Sequence, residues 1–378
     1  MKFIHLSDLH LGKRVNEFSM IEDQKYILKE IINIIDKQNA DCIIIAGDIY
    51  DKSVPSAEAV ELFDDFLYRL SSRKLKVFII SGNHDSAERI AFGGRLMDKS
   101  GIYMSPVYNG KITPITLSDE YGDINVYMLP FIKPSNVKRF YPDSDIQSYT
   151  DSVKVAVDDM NIDCEKRNIL ITHQFVTGAS RTDSEDISVG GADNVDVSVF
   201  NDFDYVALGH IHRSQKCGSD FVRYCGTPLK YSFSEASDKK SITVFNMGKK
   251  GEISLEFVPL FPKRDMVEIK GTYNELMLKD FYENTSYNED YMHITLTDED
   301  DVPDALTKLR VVYKNIMKLD YDNLRTRTSN EIAGAGKVCE KSPFEHFSDF
   351  YILQNGQELS DKQTAFLTEI IEKIWENK

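Results

Sequence analysis

Five short apolar runs in this chain each end at a cluster of polar residues. The runs cover residues 3–6, 42–46, 77–80, 169–172 and 205–208. Uninterrupted apolar runs of this length are typical of buried strands. Open α/β sheets place their ligand-binding residues at the carboxyl ends of the strands. The pattern therefore predicts an α/β fold in which five strand ends meet at one crevice.

The polar residues after these runs are carboxylates, imidazoles and one amide. Oxygen and nitrogen donors without thiolates suit manganese, magnesium, iron or zinc, and they favour a hydrolytic centre over a structural zinc site. A single carboxylate can bridge two ions about 3.5 to 4 Å apart. Asp48 is the natural bridge, because it stands alone between a glycine and a strand. The candidate ligands, in chain order, are Asp8, His10, Asp48, Asn83, His173, His210 and His212.

Three histidines lie outside this pattern. His5, His293 and His346 occupy ordinary strand or helix patterns, so we expect structural roles for them.

The polar clusters and their flanks carry a family resemblance. Residues 4–12, 47–51, 81–86, 204–212 and 226–235 resemble the calcineurin-like metallophosphoesterase family, and more narrowly its SbcD family of bacterial nuclease subunits. The segment 226–235 carries the narrower resemblance. The likeness is strong over about the first 260 residues and looser beyond them. It implies a β-sandwich flanked by helices.

The resemblance also implies how the ligands are shared. One ion would lie between Asp8, His10, Asp48 and His212, and a second between Asp48, Asn83, His173 and His210. Mn²⁺ is the favoured ion, with Mg²⁺, Fe²⁺ or Zn²⁺ as alternatives. In the family, the histidine at the position of His84 points at the scissile phosphate, so the resemblance makes His84 a general acid or transition-state stabiliser.

Asp85 is a second catalytic candidate with two open roles. Its carboxylate either holds the His84 imidazole in one tautomer or caps the helix that opens at Ser86. Some relatives carry a further catalytic histidine where this chain has Asp51. How the leaving strand is guided in this chain therefore stays open. Thr227 replaces a more usual serine, and its hydroxyl would meet either a backbone group or a phosphate.

Composition predicts a multidomain cytoplasmic protein. A chain of 378 residues exceeds the size at which one core stops growing. No stretch approaches the ~20 apolar residues of a membrane span, and Asp8 lies too near the start for a cleavable signal peptide. The five cysteines are odd in number and lack C-x-x-C spacing. We therefore expect reduced thiols rather than a disulfide framework.

The net charge of −16 predicts weak binding to DNA without a partner that supplies basic surface, because non-specific affinity comes from lysine and arginine on phosphates. Two bound divalent ions would neutralise part of the acidic cluster. Each nearby cation, taken singly, is also compatible with an ordinary surface charge. The candidate substrate-binding residues are Lys13, Arg14, Arg89, Arg181, Arg213 and Lys230.

Residues 177–194 are polar and rich in turn formers. They predict a long loop, and their position after His173 places that loop beside the metal ligands. Loops of this length are often functional, although a plain surface excursion stays open.

The remaining chain predicts three further segments after a nuclease domain at residues 1–262. Strands at 266–269, 291–296 and 315–319 alternate with helical segments around 273–282 and 302–312, which is compatible with a small α/β cap domain at 263–324. Residues 325–342 are typical of a linker.

Residues 343–378 predict a helix-loop-helix with a large apolar face. A segment this short cannot bury that face alone, so it docks either on its own protein or on a partner. The family resemblance favours the coiled-coil base of SbcC, an ABC/SMC-type ATPase. The candidate partner-binding residues are Phe344, Phe347, Phe350, Phe366, Ile370 and Ile374.

The resulting hypothesis is a Mn²⁺-dependent exonuclease and endonuclease that acts with SbcC on double-stranded DNA ends and hairpins, as a homodimer within a heterotetramer, in DNA repair, recombination and replication. Two alternatives stay open. One is a phosphomonoesterase or small-molecule phosphodiesterase of the same fold, which the ligands alone would permit. The other is a DNA-end tether whose metals are structural.

Overall fold

The computed structural model describes residues 1–185, 193–324, 326, 347–348, 351, 359–360, 362–364 and 366–367. The chain divides into two compact units, one of residues 1–295 and 303–320 and the other of residues 296–302 and 321–378. The predicted boundaries at residues 262, 324 and 342 remain predictions.

The strands are β1 (Lys2–Leu6), β2 (Arg14–Val15), β3 (Phe18–Ser19), β4 (Cys42–Ala46), β5 (Lys76–Ile80), β6 (Ile102–Met104), β7 (Ile115–Asp119), β8 (Gly122–Leu129), β9 (Arg167–His173), β10 (Phe175–Val176), β11 (Asn194–Val195), β12 (Tyr205–Gly209), β13 (Gln215–Cys217), β14 (Ser219–Tyr224), β15 (Ser241–Met247), β16 (Ile253–Pro259), β17 (Met266–Gly271), β18 (Tyr291–Leu296) and β19 (Asn315–Tyr321). The helices are α1 (Ile21–Gln38), α2 (Ala57–Ser72), α3 (Ala87–Ala91), α4 (Gly94–Met97), α5 (Pro134–Lys138), α6 (Tyr149–Asp158), α7 (Tyr273–Leu276), α8 (Lys279–Tyr282) and α9 (Ala305–Leu309).

Two six-stranded sheets pack face to face in the larger unit. Their strand orders are β16-β15-β1-β4-β5-β6 and β13-β14-β12-β9-β8-β7. In the first sheet β1, β4, β5 and β6 run parallel. In the second, β8, β9, β12 and β14 run parallel. The predicted α/β sandwich is therefore confirmed, and all five predicted strands are present.

Alternate residues of each central strand enter different cores. In β4, Ile44 packs between the sheets, whereas Ile43 and Ile45 pack towards α1 and α2. In β9, Ile171 faces the inter-sheet core and Leu170 packs against α6. Because both faces are buried, the strands are apolar throughout. Burial of this kind fixes the register, since a slip of one residue would exchange the two faces.

The helices that cover the sheets begin where the sequence supplies caps. Ser56 accepts a hydrogen bond from Ala59 N at the start of α2. Ser148 and Asp151 form a reciprocal capping box at the start of α6.

A third sheet, of order β17-β18-β19, follows the sandwich in the chain. Its strands and the helices α7, α8 and α9 lie where the sequence predicts a β-α-β-α-β unit. Tyr291 in β18 donates to the buried Asp23 carboxylate of α1 at 2.7 Å, and Arg264 pairs with the same carboxylate at 2.7 Å. These contacts attach the sheet to the first helix.

The smaller unit is described only in part. Within it, Asp322 N donates to Leu296 O at 2.8 Å and Asn323 Nδ2 donates to Asp298 O at 3.2 Å. Ser360 N donates to Gln363 Oε1 at 2.9 Å, next to a helical turn at residues 362–364. Most of the predicted helix-loop-helix lies outside the described residues.

Two further observations concern membrane spans and cysteines in the described part of the chain. Across the described ranges, no helix is both long and apolar enough to cross a bilayer. Of the cysteines in these ranges, Cys42, Cys217 and Cys225 are buried, Cys164 is exposed, and all four are free thiols; Cys339 lies outside them.

His5 has the structural role that the sequence predicts. Its ring nitrogens lie 3.1 Å from Tyr205 Oη and 3.2 Å from Leu208 O, in the core between the sheets. Burial lowers the pKa of His5 from 6.5 to about 3. The unfolded chain therefore binds a proton at this residue across a pH range in which the folded chain does not.

We expect His5→Gln to flatten the dependence of stability on pH. As the pH falls from 6.5 towards 3, protonation of His5 favours the unfolded state of the wild type, and the loss amounts to about 2.7 kcal/mol by about pH 4.5. Chemical denaturation of both proteins across this range measures the difference. Parallel curves for the two proteins would contradict the assignment.

Candidate metal centre

The candidate ligands lie where five strands end, at the seam between the two sheets. Asp8 and His10 follow β1, Asp48 follows β4, Asn83 follows β5, His173 ends β9, and His210 and His212 follow β12. Backbone hydrogen bonds of 3.0 Å run from Asp8 N to Gly47 O and from His10 N to Asp48 O. The Asp8 carboxylate accepts from His210 N at 3.0 Å. The loops of both sheets are thus joined through the ligands themselves.

Four of the seven ligands have a left-handed backbone. The φ angles are 53° at Asp8, 44° at His10, 50° at Asp48 and 104° at His210. L-residues other than glycine rarely adopt this region, and each such residue carries a conformational cost of about 1–3 kcal/mol. The occurrence of this strain at four of the seven ligands indicates that the surrounding structure selects there for side-chain direction rather than for local stability.

The first group of donors is formed by Asp8, His10, Asp48 and His212. The Nε2 atoms of His10 and His212 lie 3.1 Å apart, and Asp48 Oδ2 lies 3.7 Å from His10 Nε2. Ligand atoms of Asp8, His10 and His212 lie within 4.8 Å of one another. The grouping agrees with the first ion site implied by the family resemblance.

The second group is formed by Asp48, Asn83, His173 and His210. Asn83 Oδ1 lies 3.0 Å from His173 Nε2 and 2.8 Å from His210 Nδ1. Asp48 Oδ2 lies 3.3 Å from His173 Nε2. Asp48 Oδ2 therefore lies near a histidine of each group, and its role as the bridge stays a prediction.

Burial sets the charge state of the donors. It raises the pKa of Asp8 to about 7, with the Asp48 carboxylate adding to the rise. It also lowers the pKa of His210 to about 3 and holds the pKa values of His10 and His212 well below their usual range. At His173 burial is outweighed by Asp48 and Asp8, which raise its pKa to about 9.

These donors fit divalent cations. Neutral imidazole is the form of histidine that binds metals. Two neutral rings that meet nitrogen to nitrogen each offer a lone pair, and a cation between them can accept both. The donors are oxygen and nitrogen atoms, which suits Mn²⁺, Mg²⁺, Fe²⁺ or Zn²⁺.

Two glycines leave room for this arrangement. Gly47 has a φ of +86°, and a Cβ there would lie 2.5 Å from His173 Nδ1. A Cβ on Gly82 would lie 2.1 Å from Asp48 Oδ1. Any larger residue at either position would displace a ligand.

His84 lies beside both groups, and its ring forms a further possible metal-binding cluster with His10 and Asp48. Its Nε2 is 3.9 Å from Asp48 Oδ2, and its Nδ1 is 3.1 Å from Asp51 O. The side chain keeps 19 % of its surface exposed, which leaves the ring in reach of a substrate. The role of His84 on the substrate stays a prediction.

Both roles considered for Asp85 are wrong. Its carboxylate accepts hydrogen bonds from Gly82 N, Ile49 N and Tyr50 N at 3.0–3.1 Å. The Asp51 carbonyl, rather than Asp85, lies at the Nδ1 atom of His84. Ser86, through its own hydroxyl, caps α3. Asp85 instead ties the loop after β4 to the loop after β5.

A polar network that sequence reasoning missed surrounds His212. Ser184 Oγ lies 2.6 Å from His212 Nδ1 and 2.6 Å from Glu235 Oε1. His212 N donates to Glu185 Oε1 at 2.7 Å, and Lys240 Nζ donates to His212 O at 2.9 Å. Ser184 and Glu185 belong to the predicted loop, which the structure places at the ligands. Only the polar character of that loop and the family-like segment 226–235 pointed to these residues.

Two polar side chains donate hydrogen bonds to the backbone carbonyls of His10 and the residue before it. Gln24 Nε2 donates to His10 O at 2.7 Å, and Tyr231 Oη donates to Leu9 O at 2.6 Å.

Thr227 is fully buried, and its hydroxyl donates to Leu229 O at 2.6 Å. Of the two partners considered for it, the backbone group is therefore the one present.

Most of the candidate cations are paired with acids. Lys13 lies 2.8 Å from Asp51, beside the ligands. Arg181, Arg213 and Lys230 pair with Asp193, Asp238 and Asp265, respectively. Arg14 donates to Glu17 O and Arg89 is exposed on α3. Lys13 is therefore the best placed of the six, and the role of all six in substrate binding stays a prediction.

The partner-binding candidates are only partly described. Phe347 and Phe366 are exposed by 45 % and 65 %. Phe344, Phe350, Ile370 and Ile374 lie outside the described residues, as does His346. Their role also stays a prediction.

Comparison with known proteins identifies two family models. Residues 1–214 match the calcineurin-like phosphoesterase family. Residues 262–355 match a model described as the type 5 capsule protein repressor C-terminal domain.

Curated relatives extend the match to almost the whole chain. The SbcD component of the nuclease SbcCD from Staphylococcus epidermidis is 35 % identical over 84 % of this chain and 85 % of its own length. The component of the same name from Staphylococcus saprophyticus is 31 % identical over 100 % of this chain and 99 % of its own. Among solved structures, a dimetal phosphatase from Danio rerio is 10 % identical over 68 % of this chain and 96 % of its own, with a TM-score of 0.39.

Substitution of Asp85 separates its observed role from the expected ones. We expect Asp85→Ala to lower the free energy of unfolding by about 3 kcal/mol, because three backbone N–H groups lose a charged acceptor. His84→Ala should change it by less than about 1 kcal/mol, since this side chain is partly exposed. Urea denaturation of both variants and the wild type makes the comparison. Wild-type stability in Asp85→Ala would contradict the role of Asp85 in tying the two loops together.

Proposed function

The chain belongs to the calcineurin-like phosphoesterase family and, within it, to the SbcD family of nuclease subunits, and from this premise we propose that it is a metal-dependent nuclease that hydrolyses phosphodiester bonds of DNA together with the ATPase SbcC. The observation that carries the proposal is the convergence of six buried oxygen and nitrogen donors and the half-buried Asn83 beside one partly exposed imidazole.

The ligands divide into the two groups already described, with Asp48 in both. Asp8, His10 and His212 would hold one ion, and Asn83, His173 and His210 the other. Bound divalent ions would supply Lewis acidity and a hydroxide nucleophile at neutral pH. Mn²⁺ is the ion we propose, because a mixed carboxylate and imidazole set suits it.

His84 completes the reactive part of the site. Its Nδ1 lies 3.1 Å from Asp51 O, so a proton on Nδ1 would be held there, and Nε2 faces the metal ligands. We assign this ring to the leaving oxygen. With its Nδ1 proton held by Asp51 O, the ring would have to carry a second proton on Nε2 to donate a proton or a hydrogen bond to developing negative charge.

Among the described residues, the surface around the donors is short of free positive charge. A neighbouring cavity of about 580 Å³ is lined by Lys13 and Arg14. His293 and Lys318 also line it, and both pair with Asp320. With a net charge of −16, such a chain would hold DNA weakly. Dependence on a partner follows, and we propose that SbcC supplies basic surface and uses ATP to open access to double-stranded ends and hairpins.

The finer parts of the proposal rest on the family. They are exonuclease and endonuclease activity, a homodimer within a heterotetramer, binding of SbcC through residues 343–378, a cytoplasmic location, and roles in DNA repair, recombination and replication. The exposure of Phe347 and Phe366 supports the docking of that segment on a partner. A DNA-end tether with purely structural metals is disfavoured, because such a protein would not need a partly exposed imidazole beside its metal ligands.

The direct test is hydrolysis of end-labelled linear and hairpin DNA by the purified chain with Mn²⁺, with and without SbcC and ATP. We expect DNA cleavage that rises with both, and loss of cleavage when a chelator removes the metal. A small phosphodiester serves as a parallel substrate. Rapid turnover of that substrate without DNA cleavage would overturn the nuclease assignment in favour of a small-molecule phosphodiesterase.

Two substitutions separate metal binding from proton transfer. Asp48→Ala should abolish cleavage and weaken both ion sites, because the residue is common to both. His84→Ala should leave Mn²⁺ binding intact and slow cleavage by two or more orders of magnitude. Asp64→Ala, on the exposed face of α2, is the matched control. Full activity of His84→Ala on DNA would remove the role assigned to His84.

A further inference from the structure

His212 differs from the other ligands in what holds it. Its Nδ1 atom faces the hydroxyl of Ser184, which comes from the loop after β10 and lies 28 residues away in sequence. His173 Nδ1, by contrast, lies 2.8 Å from Ala46 O, a backbone group of a central strand. His173 is thus held by the sheet and His212 by a loop.

The hydrogen bonds around Ser184 have a fixed direction. A hydroxyl has one hydrogen to donate, and an ionised carboxylate can only accept. Glu235 is fully buried and ion-paired with Lys240, so Ser184 donates to Glu235. Ser184 must then accept from His212 Nδ1–H. This tautomer leaves the lone pair of His212 on Nε2, the atom that lies 3.1 Å from His10 Nε2.

The loop is bound to the ligand at a second point. Glu185 accepts from the backbone of His212 at 2.7 Å and from Thr182 N. Asp183 N donates to Ser234 Oγ at 3.0 Å, which anchors the same stretch to the segment that carries Glu235. Residues 182–185 therefore hold both the ring and the main chain of one ligand.

We propose that Ser184 is a positioning residue for His212, and that loop residues 182–185 set the affinity of the ion site formed by Asp8, His10, Asp48 and His212 without affecting the other site. The proposal rests on the two-ion centre of the proposed function. Groups that orient a metal-bound histidine typically change metal affinity by 10–100-fold when removed.

The loop also lines the cavity beside the donors. Asp183 and Ser184 line the same cavity of about 580 Å³ as Lys13 and Tyr231. An occupant of that cavity would contact the loop that holds His212. The position of this loop and the occupancy of the ion site that contains His212 are then coupled. Residues 182–185 make no such connection to the site that contains His173.

The test is calorimetric titration of the full chain with Mn²⁺, together with electron paramagnetic resonance of the loaded protein. The wild type should bind two ions and give the signal of a coupled pair. Ser184→Ala should keep one site at wild-type affinity, weaken the other at least about tenfold, and lose the coupled signal. Ser184→Thr retains the hydroxyl and should restore both. Ser180→Ala, an exposed position in the same loop, should match the wild type.

The possible outcomes distinguish failure of the metal centre from failure of the positioning role of Ser184. A wild type that binds no Mn²⁺ would overturn the metal centre itself. Two wild-type affinities in Ser184→Ala, or an equal loss at both sites, would overturn the positioning role alone. If Ser184→Ala does not fold, Ser234→Ala removes the exposed acceptor for Asp183 N and should weaken the same site by a smaller factor. Unchanged binding in that variant would also count against the proposal.

Discussion

The structure depends on the burial of two carboxylates and four imidazoles at one seam between two sheets. Asp8, Asp48, His10, His173, His210 and His212 expose almost none of their surface. Removing charged groups from water is costly unless opposite charge or metal ions compensate. Asp48 and His173 compensate each other in part, and the remaining donors form the kind of polar pocket that divalent cations stabilise.

The sandwich makes this burial possible. Parallel strands buried on both faces hold their carboxyl ends rigidly, and ligands from the two sheets meet because the inter-sheet core fixes the separation of those ends. The loops then turn the side chains inwards. Left-handed backbones at Asp8, His10, Asp48 and His210 and the absence of a Cβ at Gly47 and Gly82 are local costs that the packed strands offset.

Much of this could be predicted from sequence because the signals are local. Each strand is an apolar run, and each ligand follows its run within a few residues. The roles that escaped prediction depend on how distant loops approach one another. Asp85 lies next to His84 in sequence, yet its carboxylate bonds to Ile49 and Tyr50 on another loop. Ser184 meets His212 and Glu235 across 28 and 51 residues. The ion pair of Lys230 with Asp265 likewise cannot be predicted from composition.

The most direct test of the two-ion centre is anomalous diffraction from crystals of the full chain grown with Mn²⁺. The account predicts two peaks, one among Asp8, His10 and His212 and one among Asn83, His173 and His210, with the Asp48 carboxylate between them. A single peak, or manganese bound away from these residues, would contradict the account.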